Sequence, residues 1–161
     1  MTKDGTTFKY RGARAMILLH EKELRRFVDT WRRAKTSGAK LPKTDDPDYA
    51  SYDALLRHVL GSSRGYLTWS CEKLGLPDPE VEPAPDVGIV DQRCDQYLAH
   101  LLSRWQDPLR DVAGERFDRP EYPSRWGVPY CVDAMLEHAV MHPIRHRFQL
   151  EELLKGVPSG N

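Results

Sequence analysis

Apolar side chains return at three- and four-residue steps in four stretches of this chain, and little of it alternates with period two. That pattern predicts four helices and almost no strand. The first covers about Arg14 to Lys35, with Ile17, Leu24, Phe27, Val28 and Trp31 on one face. It stops at Thr36-Ser37-Gly38, and a polar loop carrying Pro42 and Pro47 follows. The second covers about Tyr52 to Leu74, with Tyr52, Leu55, Leu56, Val59, Tyr66 and Leu67 as its stripe and Gly75 just past its end.

Pro77, Pro79, Pro83 and Pro85 prevent the segment from Pro77 to Asp86 from continuing a helix. The segment is long for a link between neighbouring antiparallel helices and predicts a crossover connection. The third helix covers about Val90 to Val112, with Cys94, Tyr97, Leu98, Leu101, Leu102 and Trp105 facing inward; Pro108 is positioned to kink or shorten it. The fourth covers about Cys131 to Lys155, closed by Gly156 and Pro158. Before it, Gly114 to Tyr130 is irregular and carries Phe117, Tyr122, Trp126 and Tyr130 among three prolines. Such a loop is either a lid over a site or a packed cap on the core. The expected fold is an all-α four-helix bundle forming one domain over residues 1–161, with flexible ends at 1–10 and 157–161. Trp31, Trp69 and Trp105 belong either in its core or at a dimer seam.

Composition narrows the function. Twenty-four basic side chains balance 24 acidic ones, so no overall field draws a polyanion to the chain. Nucleic acid is not an expected partner. The basic group Arg25, Arg26, Arg32, Arg33 and Lys35 is interleaved with Glu21, Glu23 and Asp29 and reads as a solvated helix face. Three cysteines without a CxxC pair suit a reducing compartment. Met1 to Tyr10 lacks the apolar core of a secretory signal, and no apolar run approaches the ~20 residues of a membrane span. A cytoplasmic protein without membrane contact is expected.

The candidate chemistry lies in the histidines. His138, His142 and His146 share one stripe of the fourth helix, because a four-residue step drifts only about 40°. Two imidazoles at that spacing can share one divalent ion, and a third ligand must come from another helix. Met135, Ala139 and Leu150 border the same stripe, so these rings sit at the edge of the apolar face and need partners for their nitrogens. On the second helix, Ala54, His58, Gly61, Ser62 and Gly65 form a small-residue stripe, which leaves room beside an imidazole or permits close helix packing. His20 and His100 have no comparable setting and read as surface or packing residues.

The run from His142 through Arg145, His146 and Arg147 to Gln149 and Leu150 resembles the fourth-helix motif of the DinB/YfiT-like superfamily. In that motif H-x3-H is followed by Arg and commonly by Gly-Gln or Gly-Asn. Leu55 to Leu67, with His58 in its first half, is similar to the family's second-helix motif. The resemblance implies a metal-binding four-helix bundle with a long crossover between helices two and three. It also implies His58, His142 and His146 as ligands to zinc or nickel. Two departures bear on the site. Phe148 stands where the motif often has glycine, which would narrow the cavity. Pro143 lies between two ligands, where a kink would swing His142 away and bring in His138 instead.

Three neutral imidazoles and no carboxylate leave the full charge on the ion, which favours an anion such as a thiolate. The resemblance implies a thiol-dependent S-transferase-like enzyme that uses a low-molecular-weight thiol and a small electrophile. It also implies a homodimer. Tyr66, Trp126 and Arg147 are the expected substrate contacts, with Arg125 and Arg145 further candidates to hold anionic groups; Arg147 would equally bond a carboxylate within the bundle. Two alternatives stand beside this. One is a metal-dependent hydrolase with bound water as nucleophile; its nearest base in sequence, Glu137, points about 140° away from His142. The other is a metal- or ligand-binding stress protein without turnover.

Overall fold

A computed structural model describes residues 7–159. The chain is predominantly helical, with helices α1 (Arg11–Ser37), α2 (Tyr52–Lys73), α3 (Val90–Trp105), α4 (Glu115–Asp118) and α5 (Val132–Lys155). A 3₁₀ turn, Pro47–Tyr49, precedes α2, and a two-residue ladder pairs β1 (Tyr122–Pro123) with β2 (Pro129–Tyr130). The ladder is antiparallel, with Tyr122 opposite Tyr130.

Each long helix starts or stops where local chemistry requires it. Gly38 closes α1 in the left-handed region at φ 77°, where a side chain would be strained. Ser51 caps α2, its hydroxyl accepting from the Ala54 N–H at 3.0 Å. Cys131 caps α5, its Sγ taking the Ala134 N–H. The entry to α1 is already packed. The Lys9 N–H donates to the Arg110 carbonyl at 2.9 Å, and the Tyr10 ring sits 4.7 Å from that of Phe117. Residues 8–10 of the expected flexible end are therefore held against the body, and residues 1–6 lie outside those described.

The third helix is shorter than its apolar pattern predicts. It ends at Trp105 and not at Val112, because Pro108 lacks an N–H and crowds the carbonyl four residues back. Pro108 also disfavours helical geometry at Asp107. The chain then proceeds in turns, and these still bury Leu109 and Val112.

The core draws on all four long helices, with Phe27, Trp31, Leu56, Leu60, Leu101, Trp105 and Met135 almost fully enclosed. Trp31, Trp69 and Trp105 all lie inside it, so none is available to a seam between chains. Buried indole N–H groups find partners: Trp31 donates to the Tyr52 carbonyl at 2.6 Å and Trp105 to Ser63 Oγ at 3.2 Å. The same Ser63 hydroxyl lies 2.8 Å from Nε2 of His20, a wholly buried ring packed against Trp105. His20 is thus a packing residue.

The connection from α2 to α3 is extended, as its prolines require, and is pinned along its length. Arg64 donates to the Val81 carbonyl at 2.8 Å, and the Tyr97 hydroxyl donates to the Glu82 carbonyl at 2.8 Å. His100 Nε2 accepts the Glu82 N–H. The aromatic segment before α5 divides its roles. Phe117, on α4, enters the core, while the β1–β2 hairpin leans over α2 and α5, tied down by Trp69 donating to the Pro123 carbonyl at 3.0 Å. No helix among the described residues is long and apolar enough to cross a membrane.

Candidate metal centre

Three imidazoles from two helices converge. Nε2 of His142 lies 3.2 Å from Nε2 of His58 and 3.3 Å from Nε2 of His146. All three ligand atoms fall within 4.8 Å of one another. Nitrogens at tetrahedral corners ~2.0–2.1 Å from a zinc ion stand about 3.3–3.4 Å apart, so the two separations about His142 are those of a coordination shell.

The outer nitrogens show why the rings point inward. On α5, the amide oxygen of Gln149, three residues on, accepts from Nδ1 of His146 at 3.0 Å. On α2, Nδ1 of His58 lies 3.0 Å from a carboxylate oxygen of Asp48. With those protons donated outward, Nε2 of both His58 and His146 carries a lone pair aimed at the focus. Nε2 of His142 can donate to only one of them, and its Nδ1 is buried without a partner. A cation at the focus would satisfy all three inward nitrogens. On donor chemistry and spacing the residues fit a divalent ion that favours imidazole.

Burial keeps the two α5 rings of the trio neutral. His142 is pushed down to about 2, first by loss of solvent and then by the neighbouring His146 and His58. His146 is pushed down to about 4 by the same loss of solvent and by His58, partly offset by its bond to Gln149. Neutral imidazole is the form that binds a metal.

Pro143 does not displace His142. Helix α5 runs unbroken from Val132 to Lys155, and His142 sits at the centre of the trio. His138 stands outside the trio: its ring packs 4.9 Å from Trp126 and edge-on to Tyr66 at 5.2 Å.

The trio opens into a cavity of about 470 Å³, within the range of small-molecule sites. Tyr66 and Trp126, two of the expected substrate contacts, line it together with His138, Tyr49 and Ser62. Burial pushes the Tyr66 phenol up to about 12, so it stays protonated. Arg125 and Arg145 also line the cavity. Arg147 does not: it donates to Glu23 on α1 at 3.1 Å and approaches Glu151, so it ties α5 to α1 as a structural cation. One step beyond His146 it has turned about 100° toward that helix. Phe148 does not narrow this cavity either. It is 60% exposed and borders a separate apolar groove with Leu41, Leu55 and Leu153.

The small-residue stripe of α2 resolves into three uses. Ser62 lines the cavity, and Gly61 faces Ala84 of the α2–α3 connection. At Gly65 a Cβ would come within 2.8 Å of the Arg125 guanidinium, so the glycine lets that arginine lie across the helix.

Sequence reasoning missed Asp48 and Gln149. Asp46-Pro47-Asp48 does carry a signal: Asp46 caps the turn by accepting the Asp48 N–H at 2.9 Å, and proline follows at the first helical position. Gln149 is three residues past His146, a spacing at which side chains meet on a helix. Comparison with protein-family models finds no match, and neither do comparisons with curated proteins or with solved structures.

Proposed function

We propose that this chain is a divalent-metal-binding protein of the DinB/YfiT-like four-helix-bundle type. On this reading it works as a thiol-dependent S-transferase on a small electrophile. The observation that carries the metal is the convergence of three imidazole Nε2 atoms, with those of His58 and His146 each 3.2–3.3 Å from that of His142 and oriented by Asp48 and Gln149. The thiol chemistry rests on the resemblance of the His58 and His142–Leu150 motifs and on the all-imidazole donor set.

Bound at the trio, a divalent ion would supply the positive charge that favours the thiolate form of a small thiol at neutral pH. The thiol proton leaves to solvent, sulfur forms a bond to carbon of the electrophile, and the leaving group departs with the bonding pair. The protein's own part is to hold the reactants between the trio and the Trp126 wall, where the effective concentration is high.

The hydrolase alternative needs a carboxylate base facing the cavity. No Asp or Glu is among the lining residues, Glu137 is exposed elsewhere on α5, and Asp48 is engaged with His58. That favours the thiol reading.

Thermal unfolding with zinc or nickel, in wild type and His58→Ala, tests the site. Wild type should melt higher with metal and the variant should not; no shift in wild type contradicts the metal reading. Adding 2-mercaptoethanol to cobalt-loaded protein should then produce a thiolate-to-cobalt absorption band. Metal uptake without that band contradicts the thiol reading alone.

A further inference from the structure

The cavity above the three histidines is cationic and has no carboxylate to balance it. Arg125 reaches it from the hairpin and Arg145 from α5. Among the described residues neither is taken up in an ion pair, although most of the other arginines near the bundle surface are. An uncompensated pair of guanidiniums at the mouth of a partly enclosed site is a ready receptor for a carboxylate, which each can bind through two parallel N–H groups.

The rest of the wall is aromatic. The Trp126 ring stacks at 30° on His138, and Tyr66 meets His138 edge-on. Trp126 is 45% exposed, an unusual setting for an indole in a chain whose other three tryptophans are buried. A half-exposed indole lining the same cavity as two unpaired arginines offers apolar surface against which a flat molecule can lie.

We propose that this cavity binds a small planar molecule bearing carboxylates, its anionic groups held by Arg125 and Arg145 and its flat part against Trp126. Resting on the reading above, this names the class of the electrophile: a planar carboxylic acid that carries the leaving group displaced by the thiolate, set between the arginines and the metal trio. The placement of Arg125 supports it, since Gly65 is the residue that lets the guanidinium lie over α2.

The test uses phthalate as probe, with its uncharged diamide and with succinate for comparison, by calorimetry on zinc-loaded and metal-free protein. Zinc-loaded wild type should prefer phthalate to the diamide by about tenfold or more, since charge-assisted bonds to two guanidiniums are lost with the amide. Metal-free wild type should keep that preference. In Arg125→Gln/Arg145→Gln it should fall to about twofold or less, while Arg125→Lys/Arg145→Lys should restore part of it and show that charge is what is read. Trp126→Ala should remove the preference for phthalate over succinate. A preference that survives in the glutamine variant, or vanishes when zinc is removed, overturns the proposal and leaves the metal site standing. Arginine-dependent phthalate binding in a protein that takes up no zinc supports the proposal and overturns the metal reading. Equal binding of phthalate and diamide in both forms overturns it outright.

Discussion

A carboxylate oxygen of Asp48 lies 3.0 Å from Nδ1 of His58, so a 3₁₀ turn ten residues upstream sets the tautomer of a candidate metal ligand. Gln149 does the same for His146 from the following turn of α5. His58 and His146 are thereby oriented before any ion arrives, which lowers the entropy lost on binding.

Asp48→Ala should weaken zinc binding by about 10- to 100-fold without altering the fold, the usual range for an outer carboxylate. Asp48→Asn should lose less, because its amide oxygen can still accept from Nδ1. Calorimetric zinc affinities decide this, and unchanged affinity in the alanine variant would deny Asp48 its orienting role.

Removing a ligand should cost more than removing its support. His58→Ala, His142→Ala and His146→Ala should each exceed the ~100-fold loss that marks the upper end for supporting residues. His138→Ala should change zinc affinity by less than about threefold. A large effect at His138 and a small one at His142 would show that Pro143 displaces the ligand after all.

Arg147→Met should lower stability by about 1–3 kcal/mol, as it leaves Glu23 without one of its two cationic partners in a largely buried setting. Zinc affinity and phthalate affinity should hold. Denaturant titration and calorimetry separate the two effects; loss of ligand binding with stability intact would return Arg147 to the cavity.

Metal-free protein should lose stability as pH falls below about 6.5. Burial holds His20 at about 3, so between those values the unfolded chain takes up a proton that the folded one refuses, and unfolding gains. From pH 7.5 to pH 5 this is worth about 2 kcal/mol for His20 alone. His142 and His146, both depressed by burial, act with the same sign. Urea unfolding at the two pH values measures it, and equal stabilities would show that these rings are not buried as neutral groups.

Much of this arrangement was legible in the chain. The 3.6-residue periodicity located the four long helices; the H-x3-H spacing put candidate ligands on one stripe of α5, and the resemblance of the α2 and α5 motifs named His58, His142 and His146 together. What was not legible depends on contacts between distant segments. Periodicity carried α3 to Val112 because Leu109 and Val112 are apolar and buried, yet Pro108 makes them pack from turns. Arg147 has two readings in the sequence, a substrate contact or the partner of an internal carboxylate, and only the fold decides for the second by bringing up Glu23, 124 positions earlier. Asp48 lies in a stretch that reads as polar loop, and only the folding of that turn against α2 gives it a histidine to hold.

The most direct test is a crystal grown from zinc-loaded protein, with anomalous scattering recorded at the zinc edge. One peak ~2.0–2.3 Å from Nε2 of His58, His142 and His146 is the result expected. A zinc-free trio, or zinc bound only elsewhere, would contradict the assignment of these three histidines as a metal centre.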